Sequence, residues 1–128
     1  MKSIKNKFYF GDPCYVLDET LYDAWCKINI ENSNGLIKID GKEIMEVYDT
    51  MYGDGCYDGL GVDSGTLAII PVEFCTEVPE NELKKNGRII EATELKLTRD
   101  KKGCFRVYKK KDNDMWSVVD IVNTGYDD

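Results

Sequence analysis

The sequence contains no histidine among its 128 residues. This absence excludes Ser-His and Cys-His nucleophilic systems and most catalytic zinc sites, because each of them needs an imidazole. Any catalysis would have to use carboxylates, lysine, tyrosine or an unassisted cysteine. We therefore expect no catalytic residues, and the sequence favours a protein that is not an enzyme.

Paired cysteines are missing as well. The five cysteines are an odd number and include no C-x-x-C pair, which argues against a disulfide framework and against a zinc knuckle. Reduced thiols in a cytosol are the simplest interpretation. Cys14 and Cys56 have no cationic neighbour in sequence that would favour a reactive thiolate.

Long apolar runs and an excess of positive charge are also absent. No run approaches the roughly 18 apolar residues that span a bilayer, and the opening MKSIKNKFYF lacks the apolar core of a signal peptide. The net charge of −7 argues against general nucleic-acid binding and against a membrane surface. We expect a cytoplasmic protein that folds as one domain over residues 1–128.

Two helices are predicted. Leu21, Trp25 and Ile28 recur at helical spacing after a potential N-cap at Asp18, which predicts an amphipathic helix. The segment PENELKKNG (79–87) has proline at its start, lysine in its last turn and glycine after it. This pattern predicts a second, short helix.

The remaining patterns predict strands. Asp40-Gly41 joins two alternating segments as a tight hairpin, and TLAIIPVEF (66–74) reads as a central strand until Pro71. Strands are also predicted at residues 4–10, 88–98, 103–111 and 115–124. The expected fold is mostly β (α+β), with an antiparallel sheet or partly closed barrel of six to seven strands, one amphipathic helix and one short helix.

The segment YGDGCYDGLGVDSGT (52–66) is the least ordinary part of the chain. A phosphate cradle would need a Lys-Ser/Thr pair or a glycine motif that opens a helix, whereas a strand follows here. Ser64 lacks a histidine that could activate it as a nucleophile. Tight turns are the favoured interpretation, since Asp-Gly occurs twice.

A metal site in this segment is an alternative. Hard cations bind carboxylate oxygens, so Mg²⁺ or Ca²⁺ held by Asp54, Asp58 and Asp63 is chemically feasible. Their spacing does not match the calcium loop of an EF-hand. We therefore expect no metal and no other cofactor, with Mg²⁺ or Ca²⁺ as the alternative.

Tyrosines cluster around the two glycine turns. A tyrosine ring offers a flat apolar face and a hydroxyl, both useful for holding a ligand or partner, although tyrosine is also common in strands. We expect a site on the concave side of the place where GDPCY, YGDG and DSGT meet. The candidate ligand- or partner-binding residues are Asp12, Tyr15, Tyr52, Asp54, Tyr57, Asp63 and Ser64.

The segments GDPCYV, YGDGCYDG and VDSGTLAIIP resemble, in this order, a set of short uncharacterised bacterial and phage proteins. Those proteins share GDPxY, YGDGxY and DxGT motifs, a domain of unknown function. The resemblance covers roughly residues 8–75. It implies kinship of fold and a prophage or mobile-element setting, and it assigns no catalytic residue.

Three functions follow as expectations. The first is a small intracellular, non-catalytic binding protein of phage or mobile-element origin that sequesters a host protein or a nucleotide-type small ligand, as an inhibitor or anti-defence protein. The second is a metal-dependent hydrolase in which Asp12 joins the three aspartates of the glycine segment. The third is a structural or assembly subunit that associates through exposed strand edges, which leaves a homo-oligomer open.

Overall fold

The structure, a computed structural model, describes residues 1–29 and 34–125. Within these ranges the chain forms ten strands, one α-helix and three short 3₁₀ helices. The strands are β1 (Lys7–Gly11), β2 (Gly35–Ile39), β3 (Lys42–Asp49), β4 (Gly55–Tyr57), β5 (Leu60–Val62), β6 (Thr66–Pro71), β7 (Gly87–Glu91), β8 (Leu95–Arg99), β9 (Cys104–Lys110) and β10 (Trp116–Asn123). The helices are α1 (Glu19–Asn29) and the 3₁₀ helices Pro13–Tyr15, Val72–Phe74 and Glu80–Lys85.

The strands form three antiparallel sheets. A central sheet has the order β2-β3-β6-β1-β7, a C-terminal sheet has the order β10-β9-β8, and β4 and β5 pair as a two-stranded glycine hairpin. All three are open sheets in the described part of the chain. The predicted mostly β, α+β fold with antiparallel strands is therefore confirmed, with the open sheet rather than the barrel.

The strands are divided more finely than the predicted six or seven. The glycine segment contributes β4 and β5, and the predicted strand 88–98 is split into β7, which pairs with β1, and β8, which pairs with β9. At the split the N-terminal segment lies alongside, where the Ala92 N–H donates to the Asn6 carbonyl at 3.0 Å. Leu95 N–H similarly donates to the Met1 carbonyl at 3.0 Å. This long-range pairing moves the chain from one sheet to the other.

The central sheet is buried on both faces. Phe8 and Phe10 of β1 pack in a core shared with the C-terminal sheet, whereas Tyr9 points into a second core that contains Trp25 of α1. Strand β6 alternates in the same way, with Ile69 in the first core and Ile70 in the second. Because both faces of β1 and β6 are buried, the sequences of these two strands are nearly continuous apolar runs.

Helix α1 begins as the sequence predicts. The Asp18 carboxylate accepts the Leu21 N–H at 2.9 Å, which confirms the N-cap. Trp25 is buried and packs edge-on against Tyr22, with ring centroids 5.7 Å apart. The predicted short helix is the 3₁₀ helix Glu80–Lys85. None of the helices in residues 1–29 and 34–125 has the length and apolar character needed to cross a membrane.

The outer face of the C-terminal sheet combines aromatic rings with lysines. The Lys96 ammonium lies 4.5 Å from the ring centroid of Trp116 and 5.3 Å from that of Tyr108. Lys110 approaches the Trp116 ring at 6.0 Å and forms an ion pair with Glu94 at 3.7 Å. The second tryptophan of the chain is therefore partly exposed and surrounded by charge, unlike Trp25.

Candidate functional site

A single buried carboxylate joins two of the three predicted segments. Asp12 is 0% exposed, and its Oδ2 accepts the backbone N–H groups of Asp63 at 2.6 Å and Ser64 at 2.7 Å. Its Oδ1 accepts the Cys14 N–H at 2.8 Å and the Ser64 hydroxyl at 2.7 Å. We name the assembly of residues 11–15, 52–55 and 63–66 the glycine junction.

The third segment is tied in by threonine. The Thr50 hydroxyl donates to the Gly53 carbonyl at 2.6 Å, and the Thr50 N–H donates to the Gly65 carbonyl at 2.9 Å. The Cα of Gly53 lies only 3.8 Å from where a Cβ of Gly65 would stand. The YGDG and DSGT turns therefore lie side by side, as the sequence predicts.

The polar groups at the centre of the junction serve the fold. A carboxylate offers about four acceptor positions, and four donors occupy those of Asp12. The Ser64 hydroxyl is shared between Asp12 and the Thr66 hydroxyl, the latter at 2.7 Å. This arrangement holds the turn together through the Ser64 hydroxyl and the Asp12 carboxylate.

The Cys14 thiol lies in the same acidic environment. Burial, and then the neighbouring Asp12 carboxylate, raise the pKa of Cys14 well above its usual value, with smaller contributions from Asp63 and Asp54. A thiol with a raised pKa stays protonated near neutral pH and is a poor nucleophile. The raised pKa of Cys14 is the opposite of the lowered pKa that marks a reactive thiolate.

Tyr15 and Asp63 form the surface contact of the junction. The Tyr15 hydroxyl donates to the Asp63 carboxylate, and this hydrogen bond, followed by burial, raises the pKa of Tyr15 above its usual range. The phenol therefore remains a neutral donor at physiological pH, and Asp63 fixes the position of the ring. Tyr15 is intermediate in exposure and Asp63 is exposed, so their contact lies at the surface.

The glycine hairpin is anchored to the C-terminal sheet by its own turn. Asp58 and Gly59 both adopt left-handed φ values of 49° and 84°, the geometry of a tight Asp-Gly turn. The Asp58 carboxylate accepts the N–H of Asn123 in β10 at 3.3 Å, and the Asp58 carbonyl accepts from Arg88 at 2.7 Å. Asp58 therefore faces β10 and not the Tyr15–Asp63 surface.

The convergence that a metal site would need does not occur in the described residues. No group of three or more histidine, cysteine, aspartate or glutamate side chains there is placed to hold a metal ion. Of the alternative metal residues, Asp58 bonds to β10 and Asp63 bonds to Tyr15. Asp54 lies beside Gly65, its Oδ1 3.8 Å from a Cβ built there.

Two predicted site residues lie in the interior, which corrects the expectation that they line a surface. Tyr57 is only 2% exposed and belongs to the core beneath the C-terminal sheet, with its hydroxyl 3.1 Å from the Gly53 carbonyl. Asp12 is fully buried. Both support the junction from below. Tyr52, by contrast, is 60% exposed, and the adjacent Met51 is 37% exposed.

No sequence motif marks the residues that border the other side of Tyr15. There the structure has a cleft with a volume of about 210 Å³, lined by Tyr15, Gly59, Leu60, Gly61, Lys84, Lys85, Asn86, Gly87 and Arg88. We name it the cationic cleft. Its basic side chains lie some twenty residues or more from the glycine segment in the chain, so only the pairing of β7 with β1 brings them near it.

Strand β10 forms one edge of the C-terminal sheet, and two of its N–H groups are already occupied. Ile121 N–H donates to the Asp120 carboxylate at 2.9 Å, and Asn123 N–H donates to Asp58 at 3.3 Å. Carboxylates that take up edge N–H groups make strand addition less favourable. The assembly-subunit expectation gains no support from this part of the edge.

Two arginines of the C-terminal sheet are paired with a neighbouring acid or carbonyl. Arg106 contacts the Asp100 carboxylate at 3.1 Å, and Arg99 donates to the Asp49 carbonyl at 3.0 Å.

Comparison with known proteins returns no relative. No protein-family model, curated protein or solved structure matches the chain. The function must therefore be argued from the geometry of the site.

Proposed function

We propose that the chain is a non-catalytic binding protein that covers a basic surface of a partner protein with the exposed side of the glycine junction. This junction face consists of Tyr15, Met51, Tyr52, Asp54 and Asp63. The proposal rests on one observation: the Asp12 carboxylate and the Ser64 hydroxyl bond to each other inside the junction, while Tyr52, Asp54 and Asp63 are exposed.

The chemistry of the junction face suits a protein partner. Tyrosine and methionine are enriched in protein interfaces because they bury large areas while keeping some polar capacity. Asp54 and Asp63 give the face negative charge, and they are two of the 24 acidic residues of a chain whose net charge is −7. Charge of one sign steers a partner of the opposite sign and discriminates against acidic competitors.

A pre-organised surface strengthens such binding. Asp12 fixes the turns beneath the face, and the hydrogen bond to Asp63 fixes the Tyr15 ring. Side chains that are already ordered lose less entropy on association. A rigid face without a chemical step is what sequestration of a host protein requires. The phage or mobile-element setting of this proposal rests on the resemblance in sequence.

The test is a binding experiment with two charge-matched variants. Immobilised wild-type chain is exposed to a bacterial lysate and compared with Tyr52→Ala/Asp54→Asn and with Asp112→Asn, each of which removes one negative charge, the latter in a distant turn. We expect a basic protein to bind the wild type and the distant variant, and to be lost from the junction variant. Binding should also weaken as salt shortens the screening length to about 3 Å at 1 M.

Three controls make the result decisive. The melting temperatures of both variants must match the wild type, so that loss of binding reflects the surface. The captured protein must then bind the purified chain directly. Equal loss in both variants, or a partner indifferent to Tyr52 and Asp54, would remove the junction face as the binding surface.

A further inference from the structure

The cationic cleft differs in charge from the rest of the molecule. Lys84, Lys85 and Arg88 line it, and none of the described residues that line it is acidic. The whole chain carries 24 acidic residues against 17 basic ones, so a cleft lined by three cations and no carboxylate runs against its composition. Clefts lined by charges of one sign raise the local concentration of ligands of the opposite charge.

Two acidic residues that do not line the cleft form ion pairs with its cations. Glu82 pairs with Lys85 at 3.6 Å, and Asp120 pairs with Arg88 at 2.6 Å. The Lys85–Glu82 pair is exposed, and such pairs contribute little energy. Arg88 is held in place by Asp120 and by the Asp58 carbonyl, so its guanidinium is positioned at the cleft wall before any ligand arrives.

The glycines that line the cleft are not all required for the same structural reason. Gly59 is required by the turn, with a φ of 84°. Gly87 is required by packing, because a Cβ there would lie 2.5 Å from the Tyr9 ring. Gly61 has neither cause: its φ is not in the left-handed region, and a Cβ would meet only the Tyr15 hydroxyl, at 3.7 Å.

Glycine at position 61 therefore lowers the stability of strand β5, and neither turn geometry nor packing requires it. A glycine within a strand weakens it, and such positions often mark a close approach of a ligand to the backbone. Gly61 and Tyr15 line the same cleft as Lys84, Lys85 and Arg88. A side chain at position 61 would take up part of the space between them.

We infer that the cationic cleft binds a phosphate-bearing small molecule through its phosphate group. Lysine ammonium groups act as point charges for phosphate oxygens, and a pre-positioned arginine adds planar donors. A volume of about 210 Å³ is smaller than the roughly 300–1,000 Å³ of sites that enclose a drug-sized ligand, so the cleft suits a phosphate group better than a whole dinucleotide.

The inference is independent of the junction face. Tyr15 borders both surfaces, but the cations come from the 3₁₀ helix Glu80–Lys85 and the start of β7. They do not come from the glycine segment, whose motif does not fit a phosphate cradle. A substitution that weakens phosphate binding in the cleft but leaves capture of a protein partner unchanged would separate this inference from the proposed function.

The experiment is calorimetric titration of the purified full chain at low salt with pyrophosphate and, separately, with adenosine diphosphate. We expect Lys84→Gln/Lys85→Gln to weaken binding by about tenfold or more, as loss of two charge-assisted contacts should. Lys101→Gln/Lys102→Gln removes the same charge from an exposed turn elsewhere, and we expect it to bind like the wild type. Gly61→Val should abolish binding without loss of folding.

The outcomes are distinct. Equal affinity for both probes would assign recognition to the phosphates alone, and tighter binding of adenosine diphosphate would add the nucleoside, with the Tyr15 ring as its contact. The absence of binding to the wild type would overturn the inference, as would equal weakening by both lysine pairs. Should Gly61→Val fail to fold, Gly61→Ala serves as the smaller obstruction, and unchanged binding in it would contradict the role of Gly61.

Discussion

Arg88 and Asp120 form the shortest ion pair in the described part of the chain, with Nη1 and Oδ1 2.6 Å apart. The pair joins β7 at the edge of the central sheet to β10 at the edge of the C-terminal sheet. A second guanidinium nitrogen reaches the Asp58 carbonyl at 2.7 Å, so the same arginine also holds the turn of the glycine hairpin. Three separate pieces of the fold therefore meet at one side chain.

Replacement of Asp120 tests this connection. We expect Asp120→Asn to lower the free energy of unfolding by about 1–2 kcal/mol, because a partly buried Arg88 loses its charged acceptor. Asp112→Asn, which makes the same change in an exposed turn, should stay within about 0.5 kcal/mol of the wild type. Urea unfolding measures both. Equal stability of the two variants would show that the Arg88–Asp120 pair does not contribute to the free energy of unfolding.

We expect substitution of Asp12 to lower the free energy of unfolding more than substitution of Asp120. In Asp12→Asn an amide NH₂ replaces one acceptor oxygen and faces backbone N–H groups, which leaves buried donors unpaired. We expect a loss of about 2–4 kcal/mol in the free energy of unfolding. Asp54→Asn, on the exposed rim of the same junction, serves as its control. A thermal or urea melt in which both variants behave alike would contradict the central role of Asp12.

Gly87 and Gly61 form a second matched pair. A methyl group at Gly87 would lie 2.7 Å from the carbonyl oxygen of Phe10, which belongs to the backbone and cannot turn aside. We expect Gly87→Ala to destabilise the chain by about 1–3 kcal/mol. Gly61→Ala should be neutral or slightly stabilising, because the position is open and alanine reduces the entropy of the unfolded chain. Melting temperatures of the two variants decide the comparison.

The acid response should include the helix cap. The Leu21 N–H and then the Thr76 hydroxyl lower the pKa of Asp18 in the folded state. A lowered folded pKa contributes stability above the unfolded value of about 3.9, and this contribution is lost as the pH falls below it. Asp18→Asn keeps a capping oxygen without the charge. We expect the stability gap between wild type and variant to be larger near neutral pH than at about pH 2 in urea titrations.

Divalent ions separate the binding proposal from the hydrolase alternative. A metal that binds the folded state at 100 times its Kd adds about 2.7 kcal/mol of stability, which a thermal melt detects readily. The binding proposal expects the melting temperature to be unaffected by Mg²⁺ or Ca²⁺. A rise that disappears in Asp54→Ala would instead support a metal site at the glycine junction.

Local patterns were sufficient to predict much of the fold. The N-cap at Asp18, the Asp40-Gly41 hairpin and the buried runs of β1 and β6 all follow from residues close together in the chain. The split of residues 88–98 was not predictable in this way. It depends on pairing with the N-terminal segment, whose partners lie about ninety residues away in sequence, as Met1 and Leu95 do.

The candidate site shows the same division. The sequence predicted that the GDP, YGDG and DSGT turns would meet, because each is rich in glycine and aspartate. It did not distinguish the buried Asp12 and Tyr57 from the exposed Asp54 and Tyr52, since burial depends on which side of a turn packs against a sheet. The cationic cleft was missed because Arg88 and its neighbouring lysines carry no motif and reach Tyr15 only through tertiary contacts.

The two tryptophans occupy different layers, and this gives the molecule two built-in optical reporters. Trp25 lies in the apolar core beneath α1, where its emission should be blue-shifted and protected from quenchers. Trp116 lies on the outer C-terminal sheet within reach of Lys96, in a polar setting that reddens emission and admits quenchers. The fluorescence of the two tryptophans can therefore show whether the helical layer and the outer sheet unfold together or one before the other.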